Sequence, residues 1–291
     1  MKLTHSRAVM VMVLVTLMWS IAGVVTRHLE SARSFEVTFW RSFFTAISLL
    51  VILPFFQGRA VFSRIQNGGA ALWLSGVCWS VMFTAFMVAL TLTTVANVLV
   101  TMALGPFLTA LMARLFTDHR IPGRTWLAIG VAGAGIAWMY GGQMDLQSQL
   151  AGTAVALLVP LAGAANWTVV QHSRAHGKNI DLVPAVLVGA VISSLATLPL
   201  SFPMSATPHD IGLLAVLGLF QLAIPCVLSV LCARVLKAPE VSLLALMEVI
   251  FGILLAWAGA GEVPGASVLT GGALVMAALV INEVLGWRQR V

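Results

Sequence analysis

The chain has 291 residues, of which 60% are hydrophobic and only 9% are charged. A soluble domain carries about 25% charged residues, so this composition leaves too little charge to cover a water-facing surface. The net charge of +6 would suit nucleic acid, but the basic residues stand singly between apolar runs and form no patch, which argues against a nucleic-acid partner and for an integral membrane protein.

Lys2 and Arg7 precede an apolar run from Ala8 to Thr26. That run exceeds the roughly 7–15 apolar residues of a signal peptide, and no A-x-A site follows, so it reads as a retained first helix. A transmembrane helix needs about 20 predominantly apolar residues. Nine further stretches approach that length: 35–56, 69–90, 95–116, 125–141, 151–171, 182–202, 211–231, 241–260 and 266–286. The predicted fold class is therefore all-α and integral to the membrane, with ten transmembrane helices and short connections. A membrane β-barrel would alternate apolar and polar residues, which these runs do not.

Basic residues alternate between the connections. Arg59 and Arg64, Arg120 and Arg124, Arg174 and Lys178, Arg234 and Lys237, and Arg288 and Arg290 fall in every second connection and at the C-terminus, matching Lys2 and Arg7. The opposite connections hold only Arg27 and Arg33, both in the first. The positive-inside rule then places both termini in the cytoplasm and requires an even number of spans, in a multi-pass protein of the cell (inner, cytoplasmic) membrane.

Within the spans, depth separates anchors from candidates. Trp73, Trp126, Trp138, Tyr140, Trp257 and Trp287 lie near span ends, where aromatic belts form. Trp19, Trp79 and Gln221 fall near mid-depth, with Asn166 and Trp167 closer to the cytoplasm. A mid-depth indole finds no acceptor among lipid tails, so it faces protein or water. These tryptophans either wall a cavity for flat solutes or pack between helices.

Arg41 lies about six residues inside helix two. It reads chiefly as an anchor, snorkelling outward or pairing with Glu36, with attraction of a substrate carboxylate as the other reading. Arg114 and Glu283 read as snorkelling residues. Pro106, Pro160 and Pro225 interrupt mid-span helices and free carbonyls nearby, as either gating kinks or plain bends. Cys78, Cys226 and Cys232 have no ligand spacing and read as packing thiols.

The main candidate is Glu248, in "LLALMEVIFGILLAW" (243–257). Counting about 1.5 Å per residue from Glu240 puts it some 12 Å deep, near the middle of a core about 30 Å thick. An acid there costs roughly 2.5–3.5 kcal/mol on insertion scales and ordinarily faces a cavity or a partner. It would bind a substrate ammonium, take up a proton, or do both in turn. The competing reading is a protonated acid bonded to a neighbouring helix.

Two stretches resemble each other: "LGPFLTALMARLFTDHR" (104–120) and "MEVIFGILLAWAGAGEV" (247–263). Aligning Pro106 with Val249 sets His119 against Glu262 at the same offset of 143 residues. Each copy is followed by a helix rich in small residues, "GVAGAGIAW" (130–138) and "GGALVMAAL" (271–279), read as packing seams. The halves, 1–145 and 146–291, each hold five spans, and an odd number inverts the second copy in the bilayer.

With "LMWSIAGVVTR" (17–27), "FWRSFFTAISLL" (39–50), Pro106 and "LMEV…GE" in this order, the chain resembles the drug/metabolite transporter superfamily, of the EamA-domain kind. Its tryptophan-rich interior is most similar to the aromatic amino-acid exporters (YddG type). His119 and Val249 depart from the family's usual Glu and Pro, which leaves the role of that first Glu open here. The resemblance implies a secondary transporter that exports small amphipathic metabolites, aromatic and hydrophobic amino acids first. Export of cationic hydrophobic drugs is the alternative.

Other classes fare worse. There is no Walker A loop, since Gly177-Lys178 is followed by Asn179, and no HExxH or buried Asp pair for an intramembrane protease. The filter and polar rings of a channel are missing too. The expectation is a carrier without enzyme activity, metal or cofactor. Its two halves would enclose a central cavity with Glu248, Trp19, Trp79, Trp167, Asn166 and Gln221 as substrate-binding residues. The proton is the candidate coupling ion, and monomer and homodimer both stay open.

Overall fold

The computed structural model describes residues 4–58, 60–105, 107–109, 111–112, 123–141, 146–175, 182–232, 235–236 and 244–288. Pro106, Arg114 and His119, singled out above, lie outside these residues, as do the side chains of Tyr140, Trp167, Glu283 and Trp287.

The described residues are helical and contain no strand. Apolar runs without water nearby must satisfy their backbone groups within the segment, and a helix does so. The first long helices are α1 (His5–Thr26), α2 (Ser34–Gln57), the short connector α3 (Ala60–Gln66) and α4 (Gly69–Leu92). They are followed by α5 (Val95–Met102), α6 (Gly123–Gly141), α7 (Leu146–Ala175) and α8 (Val183–Thr197). The last are α9 (Pro208–Val216), α10 (Ile224–Cys232), α11 (Met247–Ala260) and α12 (Ala266–Arg288).

Each of the ten apolar stretches overlaps one of these helices. Among the described residues four segments are long and apolar enough to cross a bilayer: His5–Thr26, Ser34–Gln57, Gly69–Leu92 and Pro208–Cys232. The other apolar helical stretches among the described residues run for 10–17 residues, inside longer helices in the case of α7 and α12. Local chemistry sets several ends. The Thr94 hydroxyl caps α5 by accepting from the Asn97 amide. Thr207 and Asp210 form a reciprocal capping box at α9, and Gly261, at φ 64°, closes α11 in the left-handed region.

Between α9 and α10 the helix widens into π turns over Leu217–Ala223. Pro225 explains the widening. Its ring would clash with the carbonyl of residue 221 in a regular α-turn, and it has no N–H to donate there. An i→i+5 ladder relieves both problems while the span continues.

Side chains sort by face. Phe55, Phe56, Leu127 and Val263 point outward, as does the belt tryptophan set Trp73, Trp126, Trp138 and Trp257. Inside lie Thr38, Arg41, Ser42, Thr45, Ser75, Asn97, Asn166, Ser193 and Gln221. Polar groups turned inward and apolar groups outward is the arrangement expected of a lipid-solvated bundle. The three cysteines are buried and free.

Helix α4 packs on α7 and α8, α1 on α11 and α10, α2 on α8 and the π segment, α5 on α7 and α11, and α6 on α12. The glycine-rich stretches meet as expected, since a Cβ on Gly135 would stand 2.9 Å from the Gly271 carbonyl oxygen. A second close approach joins α4 and α8, where a Cβ on Gly189 would press on the Trp79 side chain and the Gly76 carbonyl.

Candidate functional site

Helices α1, α2, α10 and α11 and the π segment converge on a polar group inside the bundle. Glu248 sits in the first turn of α11, partly buried. Among the described residues its carboxylate accepts no hydrogen bond, while its backbone carbonyl accepts from Ser20 Oγ on α1 at 3.1 Å. Trp19, next to Ser20, is half-buried, and its indole reaches the Cys226 thiol of α10.

Gln221 is buried on the π segment. Its Oε1 accepts from Arg41 Nη1 at 2.9 Å, and its Nε2 donates weakly to the Trp19 carbonyl at 3.4 Å. Arg41 Nη2 donates to the Phe83 carbonyl on α4 at 2.7 Å. The rings of Phe83 and Phe86 lie 5.9 and 5.8 Å from the guanidinium carbon, within cation–π range.

The anchoring reading of Arg41 is thereby corrected. Arg41 is fully buried and does not snorkel, and Glu36 is not its partner. Glu36 accepts instead from the amides of Ser205 and Ala206 and from the Ser205 hydroxyl, at 2.8–3.1 Å. Thr38, Arg41, Ser42 and Thr45 share one buried face of α2. Their i, i+3, i+4, i+7 spacing is a polar stripe that the sequence displays openly.

The remaining candidates divide. Trp79 joins the cluster through Phe83, with ring centroids 5.5 Å apart. Asn166 stands apart: it is buried between α7 and α4, where its Oδ1 accepts from Ser75 Oγ at 2.6 Å. Pro160 is buried within α7, and Pro225 is buried directly after the π segment.

One end of the bundle is fastened by three polar clasps, each joining the first half of the chain to the second. Arg27 Nε pairs with Glu262 Oε2 at 2.9 Å, while its other nitrogens donate to the carbonyls of Leu90 and Thr93. Glu36 holds Ser205 and Ala206, as described. Asp210 accepts from the amides of Glu30, Ser31 and Ala32 at 2.8–3.1 Å. The sequence offers Glu36 only as a partner for Arg41 and Asp210 only as an acid at a span end, because such an acid looks ordinary until its partners are known.

Residues 6–141 match the EamA-like transporter family. The match, over a little less than half of the chain, supports the drug/metabolite transporter superfamily and a multi-pass membrane transporter of small solutes. No curated protein matches the chain. Among solved structures 17 chains match, and one crystal structure of a protein superposes with a TM-score of 0.63. That structure is 16% identical, covers 97% of this chain and 99% of its own, and shows a shared fold alone.

Proposed function

We propose that this protein is a secondary exporter of small amphipathic metabolites, aromatic and hydrophobic amino acids first, in the cytoplasmic membrane with both termini inside. Its halves, 1–145 and 146–291, would be inverted five-helix repeats that rock around a fixed interior site. The helix pairings support this reading. Numbering the ten apolar helices in order and exchanging each with the one five later maps α4–α8 onto the π segment with α2, and α1–α11 onto α7–α5. The α6–α12 and α2–α8 pairs map onto themselves.

The observation that carries the proposal is Glu248, partly exposed, tied by its backbone carbonyl to Ser20 next to Trp19, with a carboxylate that accepts no hydrogen bond among the described residues. A group expensive to keep at that depth, with no hydrogen-bond partner among the described residues, is suited to an ammonium or a proton. Trp19 and Trp79 would hold the apolar body, with Trp167 as a further wall. Gln221 would supply a hydrogen bond, while Asn166, held by Ser75, would act from behind. The three clasps close one end, as alternating access requires of one side at a time.

Efflux of labelled phenylalanine from proteoliposomes, with and without a pH gradient, tests the reading. Glu248→Gln should abolish export or its dependence on the gradient while the protein still inserts. Unchanged efflux at several pH values would remove Glu248 from the site.

A further inference from the structure

Arg41 is a buried cation that meets no anion among the described residues. Its guanidinium stays protonated under all physiological conditions. Yet its two bonded nitrogens meet only neutral acceptors, the Gln221 amide and the Phe83 carbonyl. Its Nε is buried and has no acceptor among the described residues. The nearest acid along its own helix, Glu36, gives its oxygens to Ser205 and Ala206. Burying a charge among neutral partners is costly, more so with a donor left unused.

Two features show where relief would come from. Gln221 holds Arg41 from a π turn, which bends more readily than an α-turn, and its own second bond to Trp19 is long at 3.4 Å. Gln221 also links Arg41 to the Trp19 carbonyl of α1, and the next residue, Ser20, donates to the Glu248 carbonyl, so one stretch of α1 joins the cation's surroundings to the acid's. A molecule lodged there would meet a positive group on one side, a negative group on the other, and aromatic rings from Trp19 and Phe83.

We propose that Arg41 is the anion subsite of the interior, and that the transported molecule is a zwitterion. Its carboxylate takes the place of the Gln221 amide on Arg41, and its ammonium pairs with Glu248. This rests on the transport reading above and sharpens it, because a lipophilic cation would be repelled by Arg41. A guanidinium offers two parallel donors to a carboxylate, a geometry that Gln221 satisfies with one oxygen only.

Three probes sharing one ring test the proposal: phenylalanine, phenethylamine and 3-phenylpropionate. Binding to the full-length protein in detergent is read from its tryptophan fluorescence, and export is read in proteoliposomes. The wild type should bind phenylalanine at least about 10-fold more tightly than phenethylamine, the worth of one charge-assisted pair, with 3-phenylpropionate competing. Arg41→Gln should abolish both the preference for phenylalanine over phenethylamine and the competition by 3-phenylpropionate, with phenethylamine binding no more weakly than before. Arg41→Lys should keep part of the preference.

Equal binding of phenylalanine and phenethylamine by the wild type overturns the proposal, and so does failure to bind any of the three. An equal loss of both in a folded Arg41→Gln protein also overturns it. Where Arg41→Gln does not fold, the wild-type ratio decides alone. Discrimination without export keeps the subsite and defeats the transport reading, whereas export without discrimination does the reverse.

Discussion

Arg27 and Glu262 meet at 2.9 Å across the two halves of the chain, and the second oxygen of Glu262 accepts from the Val95 amide at 2.8 Å. The acid therefore fastens α1 and also completes the start of α5. The pair is partly exposed, so its Coulombic share is small, of the order of 0.5 kcal/mol. The Val95 amide matters more, because Glu262→Ala leaves it without an acceptor. Hydrogen exchange in the peptide spanning 93–98 should quicken by roughly 5–10-fold, equivalent to about 1 kcal/mol, with α4 and α8 unaffected. Unchanged exchange there would mean that the clasp is incidental.

Asp210 carries a heavier load. It is fully buried and gathers three consecutive backbone amides, Glu30 to Ala32. Asp210→Ala should cost about 2–3 kcal/mol, seen as a lowered unfolding midpoint in detergent, and Asp210→Asn should cost less because one oxygen remains. Glu36→Ala, which strands two amides, should fall between them.

Glycine substitutions should separate the α4–α8 seam from the free surface. Gly189→Ala drives a methyl group into Trp79 and the Gly76 carbonyl, for an expected loss of about 1–3 kcal/mol. Gly130→Ala meets nothing within 4 Å and should be neutral or stabilising by up to about 1 kcal/mol. Thermal unfolding monitored by gel filtration distinguishes them, and equal effects would contradict the packing described.

Ser193 on α8 bridges hydroxyls on two helices, Ser42 at 3.0 Å and Thr84 at 2.9 Å. Interhelical bonds of this kind average about 0.6 kcal/mol in membrane proteins. Ser193→Ala should therefore lower stability by only about 1 kcal/mol, and combining it with Ser42→Ala should add little. A fully additive double variant would show that the hydroxyls act independently.

The sequence displays the all-helical, membrane-spanning character of the chain well, because hydropathy reports transfer into lipid directly. The glycine seams were legible too, since only small residues at that spacing allow backbones to touch. The surroundings of Arg41 were not. Its depth could be counted, but a helix that is apolar nearly all round announces no inward face. Only the stripe from Thr38 to Thr45 marks one. Glu36 and Asp210 were hidden differently: their partners lie some 170 to 180 residues away along the chain, in loops whose composition is unremarkable. Glu248 was conspicuous because it is the sole acid in its run, and its backbone carbonyl is found bonded to Ser20, next to Trp19.

The widened turns at Leu217–Ala223 carry a consequence for the whole rod from Pro208 to Cys232. Each such turn takes up about one residue more than its neighbours, so the pattern of inward positions before it falls out of step with the pattern after it. A reporter scanned along this rod would show two protected stripes with a slip between them, at the residue that steadies Arg41. Deleting one residue from the run would bring the stripes back into phase, swing residue 221 off its bearing and turn the far half of the rod as a unit.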